Sequence, residues 1–156
     1  MVCPQLPYYP KQAQELLDEL GRKYQGQQLG FIGSSLGGFL STYMVNKYGG
    51  KAVLINPAVE PHRVLAKYLG DHVHPYTEEA FTLEPKHMNE LQVMNSDVPE
   101  TPGVFWVLLQ TEDETLDYRD AERKYQSARL TIEEGGDHAF QGYERFLPDI
   151  SQFLFG

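Results

Sequence analysis

Residues 29–38 read Leu29-Gly30-Phe31-Ile32-Gly33-Ser34-Ser35-Leu36-Gly37-Gly38, a short apolar run that ends in the pattern G-x-S-x-G. A helix-forming segment follows at once, so the stretch predicts a sharp strand-to-helix turn with Ser35 at its apex. Gly33 and Gly37 are expected where the backbones of strand and helix approach too closely for a Cβ atom. The Leu36 amide would then point at the oxygen of a reacting carbonyl, because a helix N-terminus favours negative charge.

An acidic side chain and a histidine follow further along, each just after a predicted strand. Val104–Leu109 is a uniformly apolar run that leads into an acidic turn containing Asp113. One more helix and one more strand precede His138. Because the carboxyl ends of parallel strands meet at one edge of a sheet, we expect Ser35, Asp113 and His138 to lie close together. Serine, acid and histidine in this chain order are typical of a hydrolytic triad.

Other carboxylates near Asp113 leave the identity of the acid open. Glu112 and Glu114 flank it, and Asp117 lies four residues further on. Asp117 has its own expected role as the N-cap of a helix that begins at Tyr118. We favour Asp113, because the acid usually sits on the turn directly after its strand.

Length and composition narrow the classes of protein. The 156 residues fit a single domain, and their formal net charge of −9, without a basic stripe, argues against nucleic acid as a partner. No apolar run is long enough to span a membrane, and the first residues do not form a secretory signal. A single cysteine, Cys3, excludes an internal disulfide, so the cytoplasm is the expected compartment.

Apolar runs and helical spacing alternate along most of the chain. This alternation predicts the α/β class, with a mainly parallel sheet and helices on both of its faces. The predicted strands are residues 27–33, 52–55, 104–109 and 128–132, with the end of a further strand at Met1-Val2-Cys3, and the predicted helices are residues 11–24, 36–48, 118–126 and 144–155.

The alternation is interrupted between Glu60 and Pro102. Helical spacing around residues 62–69 and 85–94 flanks a polar, aromatic stretch over 71–81. A segment this long between two buried strands predicts a helical cap insertion over about residues 60–102.

Two sets of side chains in this segment admit more than one interpretation. The first set could line an acyl pocket or could simply pack within the cap: Tyr68, Tyr76, Phe81 and Met88. The second set, His72 and His74, resembles half of a metal site, but an exposed loop is favoured because no cysteine or carboxylate stands at ligand spacing. Residues 30–38 lack the spacing of a phosphate-binding loop.

The sequence resembles the α/β-hydrolase superfamily and, within it, the small bacterial YqiA-type esterases. The resemblance covers essentially the whole chain and is carried by Pro4-Gln5-Leu6-Pro7, Gly33-Ser34-Ser35-Leu36-Gly37-Gly38, Asn56-Pro57-Ala58-Val59, Tyr68-Leu69-Gly70, Pro75-Tyr76-Thr77, Gln110-Thr111 with Asp113, Leu116-Asp117-Tyr118 and Gly135-Gly136-Asp137-His138-Ala139-Phe140. It implies that Ser35 is the nucleophile, Asp113 the acid and His138 the base. It also implies a small-molecule substrate, a short acyl ester or an acyl thioester, and chemistry that needs no metal or organic cofactor.

The sequence departs from this family at its front. Family members begin with a strand ending in His-Gly-Phe and a helix, before the segment with which this chain starts. We therefore expect an N-terminally truncated α/β-hydrolase domain that lacks the loop giving the second oxyanion donor, beside the Leu36 N–H. The strand before Ser35 would then have an unpaired edge, which invites self-association.

Three functions follow as hypotheses. The first is serine-dependent hydrolysis of carboxylic esters through an acyl-enzyme. The second is a catalytically silent binding module, because one oxyanion donor is missing. The third keeps the enzyme and changes the substrate to an acyl thioester.

Overall fold

The computed structural model of the protein describes residues 1–156. The helices and strands follow one another as α1 (Pro10–Lys23), β1 (Gly30–Ser34), α2 (Leu36–Tyr48), β2 (Lys51–Ile55), α3 (Pro61–Leu65), β3 (Gly70–Val73), β4 (Ala80–Leu83), α4 (Pro85–Met94), β5 (Phe105–Gln110), α5 (Tyr118–Lys124), β6 (Arg129–Glu133) and α6 (Leu147–Phe155), with short 3-10 helices at Ala66–Tyr68, Pro102–Val104 and Tyr143–Phe146. These elements form two compact units. Residues 24–59 and 96–156 form the sheet unit, and residues 1–23 and 60–95 form the helix–hairpin unit.

The sheet unit contains four parallel strands in the order β1-β2-β5-β6. All six residues of β5 are buried, which agrees with its uniformly apolar sequence, because both faces of a parallel sheet are covered. Side chains of β2 and β5 alternate between two apolar clusters. Leu54 and Val107 pack with residues of α2 and α5, whereas Val53 and Trp106 pack with residues of α6. Helices therefore cover both faces of the sheet.

One polar pair lies inside the first of these clusters. The hydroxyl of Tyr125 is 2.7 Å from Thr42 Oγ1, which itself donates to the carbonyl oxygen of Gly38 at 3.0 Å. Tyr125 is completely buried, and Thr42 is 2% exposed. Because the Thr42 hydroxyl donates its proton to Gly38, the Tyr125 phenol is the donor to Thr42.

The helix–hairpin unit consists of α1, α3, α4 and the antiparallel hairpin β3–β4. The helices α1, α3 and α4 each begin with a proline. Proline suits this position because the amides of a first turn have no carbonyl partner within the helix, so its missing N–H costs no hydrogen bond. The ring of Tyr8 stacks on Phe81 at 4.8 Å between centroids, and the ring of Tyr9 stacks on His87 at 4.7 Å. These stacks join the segment before α1 to the hairpin and to α4.

The predicted α/β class with a mainly parallel sheet is confirmed, and most predicted elements match observed ones within two or three residues. One predicted element was wrong, and two features of the structure were not predicted. Met1-Val2-Cys3 is not a strand, because no neighbouring strand pairs with it. Residues 71–81 lie largely within the β3–β4 hairpin. The last helix begins as a 3-10 turn at residues 143–146, and α6 follows with Pro148 in its first turn.

The predicted cap stays a prediction, because the structure groups residues 60–95 with residues 1–23 rather than as a segment of their own. Among the helices of the chain, none combines the length and the apolar character that crossing a bilayer requires.

We expect Tyr125→Phe to lower the free energy of unfolding by about 1 kcal/mol at neutral pH, because it removes one buried hydrogen bond. Burial raises the pKa of Tyr125 from 10 to about 12. The folded state thus holds the phenol proton more tightly than the unfolded chain does, so this stabilisation is present below pH 10 and is lost as the pH rises towards 12.

Urea unfolding of both proteins at about pH 8 and about pH 11 measures the effect. The difference in the free energy of unfolding between the natural chain and Tyr125→Phe should shrink by about 1 kcal/mol from the lower pH to the higher. An advantage that stays constant would mean that the Tyr125 phenol titrates normally.

Candidate active site

Ser35 occupies a sharp turn between β1 and α2. Its backbone has φ 54° and ψ −120°, a combination that a residue with a Cβ rarely adopts. The turn is held by backbone hydrogen bonds, since Ser35 N–H donates to the Ile55 carbonyl at 3.0 Å and the Ser35 carbonyl accepts from Gly38 and Ala58 at 3.0 and 2.9 Å. The surrounding backbone therefore imposes the strained conformation at Ser35.

The two glycines of G-x-S-x-G differ in their surroundings. A Cβ added to Gly33 would lie 2.0 Å from the Gly37 carbonyl oxygen and 2.5 Å from Ser41 Oγ, so only glycine fits there. A Cβ added to Gly37 would meet nothing within 4 Å. The expected steric role is correct for Gly33 and wrong for Gly37, because the crowded point lies on the strand side of the turn.

The structure brings the side chains of Ser35, His138 and Asp113 together. His138 Nε2 lies 3.0 Å from Ser35 Oγ. His138 Nδ1 lies 2.9 Å from both carboxylate oxygens of Asp113. The carboxylate is almost fully buried, with 2% of its side chain exposed, whereas 23% of the imidazole is exposed. Since an ionised carboxylate only accepts, Nδ1 is the donor to Asp113 and Nε2 is free to accept from Ser35.

The neighbouring carboxylates have other partners. Asp117 accepts a hydrogen bond from the Arg119 amide at 3.0 Å and caps α5, as predicted. Glu114 Oε2 accepts from the His138 backbone amide at 2.9 Å. Asp113 is the carboxylate at the imidazole, and the amides of Thr115 and Leu116 each donate to its Oδ1 at 2.9 Å.

Two buried side-chain amides beside the site were missed by sequence reasoning. Gln110 Oε1 accepts from the amides of Asp137 and Gln141, and Gln110 Nε2 donates to the Gln141 carbonyl. Asn56 Nδ2 donates to the carbonyls of Asp137 and His138. Each is 2% exposed. The available signal was a polar residue at the end of an apolar strand, at the same edge as the predicted site.

Leu36 is the first residue of α2, directly after Ser35. A first-turn amide has no carbonyl partner within its own helix, so it is available to an incoming oxygen. Its N–H is the oxyanion donor that the sequence predicts, and it remains a prediction.

The side chains suggested for a pocket or a metal lie in the helix–hairpin unit. Tyr76 is 91% exposed, and Phe81 stacks between Tyr8 and His72. His74 Nδ1 accepts from the amides of Tyr76 and Thr77, so this nitrogen serves the hairpin turn. The chain contains no group of three or more His, Cys, Asp or Glu side chains placed to share a metal ion.

A family model for UPF0227, described as an uncharacterised protein family, matches residues 1–155. Solved structures with a similar fold include monoacylglycerol lipase from Paleococcus ferrophilus, with TM-score 0.66 and 12% identity over 96% of this chain and 77% of that chain. For Est1E from Butyrivibrio proteoclasticus, solved with ferulic acid, the TM-score is 0.60 and the identity is 13%, over 90% of this chain and 65% of that chain. For carboxylesterase CesB from Bacillus subtilis, the TM-score is 0.57 and the identity is 12%, over 99% of this chain and 70% of that chain. These similarities confirm the expected α/β-hydrolase fold.

The two glycines of the turn give a matched pair of variants. We expect Gly33→Ala to lower the free energy of unfolding by about 3 kcal/mol or more, because the backbone oxygen of Gly37 cannot move away from the new Cβ. Gly37→Ala should raise it by up to about 1 kcal/mol, because alanine is the better helix former and open space surrounds its Cβ. Urea unfolding of the two variants beside the natural chain measures both values, and equal effects would contradict the contact geometry.

Proposed function

Since the chain belongs to UPF0227, the family that the resemblance to YqiA-type esterases predicted, we propose that it is a carboxylic ester hydrolase with Ser35 as its nucleophile. In this proposal His138 is the general base and Asp113 orients it. The observation that carries the proposal is the unbroken series of contacts from Ser35 Oγ through both imidazole nitrogens to a buried carboxylate, at 3.0 and 2.9 Å.

Acylation begins when Ser35 Oγ attacks the ester carbonyl carbon and its proton passes to His138 Nε2. Asp113 keeps the second proton of the ring on Nδ1, which leaves the Nε2 lone pair aimed at Ser35, and it stabilises the imidazolium that forms. The Leu36 N–H donates to the developing oxyanion at the N-terminus of α2. His138 then returns the proton to the leaving alcohol as the bond between the acyl carbon and the alcohol oxygen breaks.

Deacylation repeats these roles with water. His138 takes a proton from a water molecule, whose oxygen attacks the acyl carbon, and Ser35 Oγ leaves with the proton that His138 returns. The acid product departs and the enzyme regains its starting state. Neither half of the reaction requires a metal or an organic cofactor.

We assign short acyl esters as the substrate class. This assignment is supported by the esterase family that the sequence resembles. A monoacylglycerol lipase, a carboxylesterase and Est1E, which was solved with ferulic acid, share the fold. Those similarities support an ester substrate at the level of the fold.

We expect a fluorophosphonate to label the purified chain at one site. Ser35 Oγ bonds to phosphorus, fluoride leaves, and intact mass rises by one phosphonyl group. Ser35→Ala should abolish labelling, because it removes the nucleophile, and His138→Ala should slow it by at least about 10³-fold, because it removes the base.

Hydrolysis of p-nitrophenyl acetate by the same proteins completes this test. A folded natural chain that takes no label would contradict the proposal and would favour the silent binding module. Labelling that survives in Ser35→Ala would place the reactive nucleophile elsewhere.

The acid assignment is tested by an isosteric pair. Asp113→Asn should lower kcat for p-nitrophenyl acetate by roughly 10⁴-fold, because an amide cannot hold the same imidazole tautomer. Asp117→Asn should leave kcat within about twofold, because asparagine is also a good helix N-cap. The matched variants differ from the natural chain by the same chemical change, so a larger loss in Asp117→Asn would move the acid to Asp117.

A further inference from the structure

The segment directly after β2 touches the backbone of the nucleophile from one side. The Ile55 carbonyl accepts from Ser35 N–H at 3.0 Å, and Ala58 N–H donates to the Ser35 carbonyl at 2.9 Å. Asn56 lies between these two contacts in sequence, and its own N–H donates to the Leu108 carbonyl at 2.9 Å. The backbone on both sides of Asn56 is therefore fixed relative to Ser35.

The side chain of Asn56 reaches the backbone of the base. Asn56 Nδ2 donates to the carbonyls of Asp137 and His138, both at 3.0 Å, so its two protons are both used. Asn56 Oδ1 accepts from Gln110 N–H at 3.1 Å. The residue has φ 39°, in the left-handed region that asparagine tolerates better than most side chains. One residue thus joins the strand end that fixes Ser35 to the loop that carries His138.

We infer that Asn56 is a positioning residue of the proposed active site, which sets the distance between His138 and Ser35. The inference rests on the proposed function. Asn56 touches neither a substrate nor the reacting atoms, and it acts through the main chain of His138. The separation of 3.0 Å between His138 Nε2 and Ser35 Oγ depends on where that main chain lies.

The other side chains that contact the His138 loop bind backbone groups other than the His138 carbonyl. Gln110 holds Asp137 N–H and both backbone groups of Gln141, on either side of His138. Glu114 accepts from His138 N–H, but Glu114 is an exposed side chain whose contact competes with water. Asn56 is buried and donates to the His138 carbonyl, so this hydrogen bond to the His138 backbone is shielded from solvent.

Two variants of Asn56 remove the side-chain donors and keep a residue that tolerates the positive φ at this position. Asn56→Gly keeps a residue that tolerates the positive φ and deletes both donors. Asn56→Asp keeps the shape and replaces the donating nitrogen by an oxygen that faces the two carbonyls. In each folded variant we expect kcat for p-nitrophenyl acetate to fall by roughly 10²-fold with KM within about threefold, because a displacement of about 1 Å costs this much in turnover.

Tyr125→Phe is the matched control, because it also removes a buried hydrogen bond of the sheet unit, and that bond joins Tyr125 to Thr42 rather than to the His138 loop. It should keep the kcat of the natural chain. The second measurement is the NMR signal of the proton on His138 Nδ1, which the contact with Asp113 shelters from exchange. That signal should be lost or shifted in both Asn56 variants and unchanged in Tyr125→Phe.

The outcomes separate the two proposals. If the natural chain neither takes the fluorophosphonate nor hydrolyses ester, the proposed function fails, and the His138 signal alone decides whether Asn56 positions the imidazole. Folded Asn56 variants with unchanged kcat and an unchanged signal would overturn the inference. So would the failure of both variants to fold, because Asn56 would then serve stability alone.

Discussion

The close approach of β1 and α2 at Gly33 is the constraint on which the rest of the site depends. With no side chain at Gly33, the strand passes within contact of the Gly37 carbonyl, and the chain must reverse within a single residue. That residue is Ser35, held at positive φ by three backbone hydrogen bonds. The serine hydroxyl therefore stands at the edge of the sheet where β5 ends and where the loop after β6 begins, and the other two residues of the proposed triad come from those positions.

Much of this arrangement could be predicted from the sequence, because it rests on local patterns. The uniformly apolar run at residues 104–109 predicts a strand buried on both faces, and β5 is buried throughout. Strand, turn and helix around G-x-S-x-G predict the apex position of Ser35. Asp117 before Tyr118 predicts a helix cap, which leaves Asp113 as the favoured acid, and the imidazole contacts Asp113 in the structure.

What the sequence did not predict depends on contacts between distant residues. The β3–β4 hairpin has strands of four half-exposed residues, too short and too polar to show a clear alternation. The sequence assigned Asn56 no role beyond its place in the motif Asn56-Pro57-Ala58-Val59, because its partners are carbonyls more than eighty residues away. Gly37 illustrates the opposite error, since a motif position was given a steric role that its open surroundings do not require.

The groups around Ser35 include a buried carboxylate that contacts the imidazole and two neutral side chains, Asn56 and Gln110, that hold the loop. A buried carboxylate must be paired, and Asp113 is paired with the imidazole and two backbone amides, so its burial itself fixes where the ring lies. Asn56 and Gln110 hold the loop with amides, which orient a backbone without adding a competing charge. The carboxylate of Glu114 also contacts His138, but it accepts from the backbone amide and not from the ring, so Asp113 is the carboxylate whose contact orients the imidazole in the proposed site.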